Sequence, residues 1–149
     1  MEDESTPVEP LTSAIPEELA KAIAEFLDGK RARDIKVISM EGKTDICEYM
    51  VLATGTSSTH VQALGGEVEY QMSRRAVEPL HVEGRDNHAW IVLDYSHVMV
   101  HIFTRDTREF YNLDRLYGED WEKTTKNCLF LLKHLQAFLL KVLFFEHKT

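Results

Sequence analysis

The sequence has few of the residues that build disulfides and redox sites. Its two cysteines, Cys47 and Cys128, lie far apart and form no CxxC-type spacing. Isolated cysteines of this kind favour buried or free thiols in a reducing compartment. The first ten residues, MEDESTPVEP, contain no apolar core, which excludes a secretory signal, and they do not resemble an Arg-rich transit peptide. We therefore expect a cytoplasmic protein.

Side-chain patterns typical of catalysis are also missing. Gly55-Thr56-Ser57 precedes a predicted helix, and helix N-termini bind phosphate, but nucleotidyl transfer also needs clustered carboxylates that hold divalent metals. Glu67 and Glu69 lie on a predicted helix, where residues two apart point about 200° from each other. His97 and His101 are four apart, which along one strand would mean about 13 Å and is too far for one zinc ion. The sequence predicts a non-enzymatic protein without cofactor or metal. A nucleotide-binding enzyme is the alternative.

The formal charge of −8 is unevenly distributed along the chain. Residues 1–29 carry −7, residues 30–121 carry −4, and residues 122–149 carry +3. An acidic body gains nothing from phosphate neutralisation, so we expect little direct contact with nucleic acid. A basic protein partner fits better, because complementary potentials steer encounter.

Hydrophobic periodicity predicts one α/β (α+β) domain over residues 16–121, with helices packed on a single mixed sheet. Residues 1–15 are acidic and predicted to be a disordered lead-in. Pro79 to Gly84 is predicted to be an irregular connector. The predicted elements are a helix from Pro16 to Gly29, strands at Asp34–Met40 and Tyr49–Thr54, a helix capped by Ser57 or Ser58, strands at Ala89–Asp94 and Val98–Phe103, and a short helix around Asp114–Tyr117.

The C-terminal extension, residues 122–149, is unusually apolar. Between Cys128 and Phe145 its four polar side chains, apart from the thiol, share one side of a helical wheel. Eighteen residues with two lysines are marginal for a membrane span, so a span is not favoured. The pattern predicts an extra amphipathic helix that docks on the domain, pairs with another copy in a homodimer, or lies on a membrane.

Three motifs together indicate a family. They are AWIVLDYSHVMVHIFTRDTREFY (Ala89 to Tyr111), TGTSSTHV (Thr54 to Val61) and PLHVEG (Pro79 to Gly84). In this order and spacing they resemble the ribosomal silencing factor family, RsfS or Iojap, over roughly residues 18–117. The resemblance implies a nucleotidyltransferase-like fold. It also implies a translational repressor that binds the large ribosomal subunit through large-subunit ribosomal protein fourteen and blocks joining of the small subunit. A role in ribosome assembly is the alternative within this class.

The resemblance also directs attention to one side of the predicted hairpin. Strand alternation places Trp90 and Asp94 on one face, together with His101 and Phe103 of the return strand. The opposite face is aliphatic and is predicted to pack on the core. Aromatic side chains are typical anchors of binding hot spots. The predicted partner-binding residues are Trp90, Asp94, His101, Phe103, Phe110 and Tyr111, and replacing Trp90 by Ala should remove binding while the domain stays folded.

Three positions depart from the family's usual pattern. The hairpin turn, commonly a glycine followed by an acid, is Ser96-His97. An arginine common in the TGTS motif is Thr59, and a tryptophan common near the domain's end is Tyr117. We expect the fold to tolerate all three, and the first to weaken attraction to a basic partner.

Overall fold

A five-stranded mixed sheet forms the centre of the protein, and two of its apolar strands pair in parallel. The computed structural model describes residues 8–43, 45–86 and 89–116. The strand order is β1-β2-β5-β4-β3, with β2 and β5 parallel and the other neighbours antiparallel. The predicted α+β mixed sheet with flanking helices is confirmed. The elements are α1 (Pro16–Gly29), β1 (Arg33–Ser39), β2 (Tyr49–Gly55), α2 (Ser58–Arg74), β3 (His81–Glu83), β4 (Trp90–Asp94), β5 (Val98–Thr104), α3 (Arg105–Tyr111) and α4 (Leu113–Leu116).

Helices α1 and α2 cover the first face of the sheet. Pro16 occupies the first turn of α1, where its missing N–H costs nothing. Residues three and four apart share one side of a helix, so the apolar residues of each helix form a buried stripe. The predicted aliphatic set of the hairpin completes this first core. Its buried members are Leu19, Ala20, Ile23, Leu27, Val51, Ala53, Val61, Leu64, Val68, Met72, Ile91, Leu93, Tyr95, Val98, Val100 and Ile102.

The two adjacent glycines of α2 have different surroundings. A Cβ built on Gly65 would lie 3.2 Å from Cδ1 of Ile91, whereas a Cβ on Gly66 would meet nothing within 4 Å. The helix therefore approaches β4 closely at Gly65. Gly66 has no such packing role, and it lowers the stability of the helix because glycine loses more backbone conformational entropy on folding than other residues do.

The second face of the sheet carries its own buried cluster. Its members are Met40, Cys47, Met50, Leu52, Trp90, Val92, Met99, Phe103 and Leu113. Cys47 and Met40 come from the β1–β2 connection, and Leu113 comes from α4. Burial, followed by the negative charge of Asp94, raises the pKa of the Cys47 thiol to about 12. The two faces thus form separate cores on either side of one sheet.

Several sequence-based predictions need correction. His81–Glu83, predicted as irregular, is a strand that pairs with β4, because its backbone completes the edge of the sheet. Helix α3, which the sequence did not predict, follows β5 directly. The lead-in also differs from expectation from residue 8 onward. There the amide of Leu11 donates to the carbonyl of Arg75 (3.0 Å), and its side chain packs against the first core.

The predicted hairpin turn lies between β4 and β5. Ser96 has a φ of +72°, a left-handed conformation that glycine adopts more easily, and its amide donates to Oδ1 of Asp94 (2.8 Å). Backbone geometry therefore gives a reason for the family's usual glycine at this position. The predicted helix of the extension and Tyr117 lie outside the described residues. Within the described ranges, no helix is long and apolar enough to cross a membrane.

Candidate functional site

Four of the six predicted partner-binding residues form one aromatic cluster on the second face. The register pairs Trp90 with Phe103, and their ring centroids are 5.0 Å apart. The Trp90 ring lies 4.6 Å from that of Tyr111, and its Nε1–H donates to Nδ1 of His101 (3.0 Å). Because Nδ1 accepts this bond, it carries no proton. The sequence therefore identified side chains that lie together.

Burial divides the six residues into two groups. Trp90 is 2% exposed, and His101 and Phe103 are fully buried. These three side chains lie within the second core rather than on an open surface. Removing a buried Trp costs on the order of 3–5 kcal/mol, so we expect Trp90→Ala to destabilise the domain, contrary to the sequence-based expectation.

The other three predicted residues are accessible to different degrees. Phe110 is 72% exposed, and its ring contacts that of the half-buried Tyr111 at 5.0 Å, edge to face. Asp94 is partly buried and lies at the other end of β4 from Trp90, about 13 Å away at the rise of a strand. The exposed end of the aromatic cluster is therefore Phe110 with Tyr111, and Asp94 is remote from it. Partner binding by these residues stays a prediction.

The turn that could bind phosphate, Gly55-Thr56-Ser57, has its groups engaged within the protein. A Cβ on Gly55 would lie 2.7 Å from Cγ2 of Val61, so glycine allows α2 to pack closely against the end of β2. Ser57 Oγ accepts from the amide of His60 (3.1 Å), and the amide of Thr56 donates to His60 Nδ1 (2.9 Å). These contacts confirm Ser57 as the helix cap and leave fewer N–H groups for a phosphate.

His60 connects two helices through its ring. Its Nδ1 accepts from Thr56, so its Nε2 carries the proton that is donated to the carbonyl of Lys30, 2.9 Å away, after the end of α1. Only the neutral Nε2–H tautomer satisfies both bonds. Across the described part of the chain, no cluster of three or more His, Cys, Asp or Glu side chains could hold a metal ion.

Sequence reasoning missed a buried arginine on α3. Arg108 donates from Nη1 to Thr54 Oγ1 (2.7 Å) and to the carbonyl of Asp34 (2.5 Å). Its Nε and Nη2 form a two-pronged pair with Asp114, at 3.0 and 2.7 Å. Arg108 therefore connects α3, α4, β1 and β2. Its role could not be predicted from the sequence, because the segment Arg105 to Arg108 is typical of a charged surface stretch.

The pair changes the acidity of Asp114. Burial, the largest single cause, would raise the pKa of this carboxyl, but the hydrogen bonds and charges of Arg108 and Lys36 together outweigh burial. Lys36, with its Nζ 3.2 Å from Oδ1, adds to the effect. The pKa of Asp114 is therefore held below its ordinary value, and the carboxylate stays charged at neutral pH.

Comparison with known proteins places this fold in a family. The family model described as "ribosomal silencing factor during starvation" matches residues 13–137. The ribosomal silencing factor of Bacillus subtilis is 35% identical over 101 residues, which cover 68% of this chain and 86% of that protein. This chain belongs to the ribosomal silencing factor family.

The comparisons also match a protein with a mitochondrial name and two solved structures. A mouse protein named mitochondrial assembly of ribosomal large subunit protein 1 is 29% identical over 101 residues, covering 64% of this chain and 43% of that protein. A crystal structure of a Chromobacterium violaceum protein matches with a TM-score of 0.68 and 26% identity, covering 70% of this chain and 88% of that one. A Bacillus halodurans structure matches with a TM-score of 0.62 and 27% identity, covering 68% and 95%.

Proposed function

We propose that this ribosomal silencing factor family member is a non-enzymatic translational repressor. It binds the large ribosomal subunit through large-subunit ribosomal protein fourteen and blocks joining of the small subunit. Family membership supports a ribosome-associated regulator in the cytoplasm. The proposed contact surface is supported by the aromatic cluster of the second face, which ends at the exposed Phe110.

The surface has the build of a binding hot spot. Phe110 presents an exposed ring, and Tyr111 behind it is held against the buried Trp90. A rigid base lowers the entropy that is lost when a side chain is ordered by a partner. Burying an exposed Phe contributes about 1.5–3 kcal/mol, enough to dominate a small interface. In this proposal Phe110 and Tyr111 make direct contact, and Trp90, His101 and Phe103 position them.

Charge supports a basic protein as the partner. The chain carries −8, and Asp94 lies on the same face of the sheet as the aromatic cluster. Complementary charge raises the association rate more than the final affinity, and salt screens it. Asp94 therefore contributes to encounter, whereas Phe110 and Tyr111 determine the dissociation rate.

The test is co-sedimentation with purified large subunits, followed by addition of small subunits. The full chain should bind stoichiometrically and reduce the yield of joined ribosomes. Phe110→Ala should weaken binding at least about tenfold, because hot-spot truncations cost more than about 1.4 kcal/mol. Leu80→Ala is the matched control, since Leu80 is also an exposed apolar residue (63%) but lies outside the aromatic cluster. Equal effects of the two variants would contradict the proposed surface.

A role in ribosome assembly is the second candidate, favoured by the name of the mouse relative. The same experiment separates the two functions. Binding to large subunits without any change in subunit joining would favour assembly. Absence of binding would contradict both, and the nucleotide-binding enzyme and a homodimer formed by the extension would then be tested directly.

A further inference from the structure

An open groove of about 940 Å³ lies at the carboxyl ends of the two parallel strands. Gly55, the last residue of β2, lines the groove, as does Arg105, which directly follows Thr104 at the end of β5. After β2 the chain continues into α2 on the first face, and after β5 it continues into α3 on the second. Ligands of α/β sheets bind where neighbouring connections diverge to opposite faces, because a crevice opens there.

Cationic side chains reach the groove from two elements. Arg33 and Lys36 come from β1, and Arg105 comes from α3. The side chain of Arg105 is 84% exposed and pairs with the exposed Glu109, whereas Lys36, 58% exposed, pairs with the partly buried Asp114 (3.2 Å). An exposed pair such as Arg105–Glu109 contributes about 0–1 kcal/mol, so an anion can readily displace Glu109 from Arg105. Among the described lining residues are four cations and three acids, a net charge of +1 in a chain of −8.

The walls of the groove have an unusual backbone. Asp34 and Asn112 line it with φ values of +48° each, in the left-handed region. The β1–β2 register shifts between Arg33 and Lys36, and this irregularity contains Asp34. Bulges and left-handed residues cluster at binding sites, where they redirect side chains. The buried Arg108 fixes this geometry by bonding the Asp34 carbonyl.

The lining residues restrict the chemistry of a ligand. Among the described residues that line the groove, none is aromatic and Ile35 alone is aliphatic. These residues therefore offer a nucleobase no ring to stack on. Asp34, Glu109, Asn112 and Thr56 instead offer groups that bond hydroxyls. We propose that this groove binds a small phosphomonoester whose organic part carries hydroxyl groups, of the sugar phosphate class.

In this site the phosphate lies between the cations of β1 and Arg105, and the hydroxyls face the carboxylates and Asn112. At about 940 Å³ the groove lies near the upper end of the range of small-molecule sites, about 300–1,000 Å³, and therefore has room for a sugar phosphate together with water. The described lining of the groove shares no residue with the aromatic cluster, although Glu109 and Asn112 directly flank Phe110 and Tyr111 along the chain, so the proposal does not rest on the ribosome-directed function.

The test is a titration of the full chain followed by amide NMR shifts. The probes are ribose 5-phosphate, inorganic phosphate and ribose. Ribose 5-phosphate should produce saturable shifts at Gly55, Thr56 and Asn112, with a dissociation constant on the order of 1 mM. Inorganic phosphate should bind at least about fivefold more weakly, and ribose should produce no saturable shift at about 20 mM.

Variants locate the binding. Arg105→Ala should weaken ribose 5-phosphate at least about fivefold, as should Arg33→Ala, because each removes one charge-assisted contact. Lys21→Ala is the matched control, since it also breaks an exposed pair of residues four apart at 3.2 Å but does not line the groove. Three results would overturn the proposal: no saturable shift with ribose 5-phosphate, equal affinity for phosphate alone, or equal effects of Arg105→Ala and Lys21→Ala.

Discussion

Replacing Asp114 by Asn tests the ion pair that fixes α3 and α4 to the sheet. Asn keeps the shape of the side chain but removes the charge that faces Arg108, whose side chain is only 9% exposed. Removing one partner of a buried pair costs about 3–5 kcal/mol, because the other charge stays buried without compensation. Asp114 is 20% exposed, so water can partly replace the carboxylate. We therefore expect a loss of about 3 kcal/mol in the free energy of unfolding at pH 7.

The effect should depend on pH in a defined direction. The pKa of Asp114 is lowered in the folded protein from an ordinary value of 3.8. A lowered folded pKa means that the carboxylate stabilises the fold fully above the unfolded pKa. This contribution is lost as the pH falls through the folded pKa, when the carboxyl takes up a proton. The stability difference between wild type and Asp114→Asn should thus be constant from about pH 7 to 5 and shrink below about pH 4.

Urea unfolding of both proteins across this pH range measures the difference, and other carboxylates cancel in it. Glu109→Gln is the matched control, because Glu109 pairs with Arg105 on the same helix but is 67% exposed. We expect this variant to lose at most about 0.5 kcal/mol. A difference for Asp114→Asn that stays the same down to pH 3, or that matches the control at pH 7, would refute the argument.

Three further predictions follow from the backbone and the thiols. Gly66→Ala should raise the free energy of unfolding by about 1 kcal/mol, and Gly65→Ala should gain less because its Cβ meets Ile91, as chemical denaturation can show. Gly84→Ala should lose about 3 kcal/mol in the same assay, since φ is +89° and its Cβ would lie 1.9 Å from the backbone oxygen of Trp90. The third prediction concerns the Cys47 thiol, tested in a Cys128→Ser variant. Because the pKa of this thiol is raised to about 12, it should react with a disulfide reagent at pH 8 more than about 100-fold slower in the folded than in the unfolded protein. Equal rates in the two states would contradict the burial of Cys47.

Local periodicity was sufficient for most elements of the fold. Pro16, the spacing of apolar residues and Ser57 set α1 and α2, and the apolar run from Tyr49 marked a strand that is buried on both faces. β3 was missed because three residues are too few for alternation, and its strand geometry comes from pairing with β4. Helix α3 was missed because its one buried side chain is the charged Arg108. The hydrogen bonds that allow this burial go to residues distant in sequence, which a local pattern does not reveal.

The candidate site shows what alternation can and cannot decide. Alternation correctly separated the aliphatic side of the hairpin from the side that carries Trp90, because side chains of a strand point to opposite faces in turn. It could not reveal that the second side is also covered, since the residues that cover it come from the β1–β2 connection and from α3 and α4. Coverage is a property of the assembled fold. An aromatic side chain on a strand is therefore evidence for a cluster, and only the exposure of Phe110 in the folded chain identifies where that cluster can meet a partner.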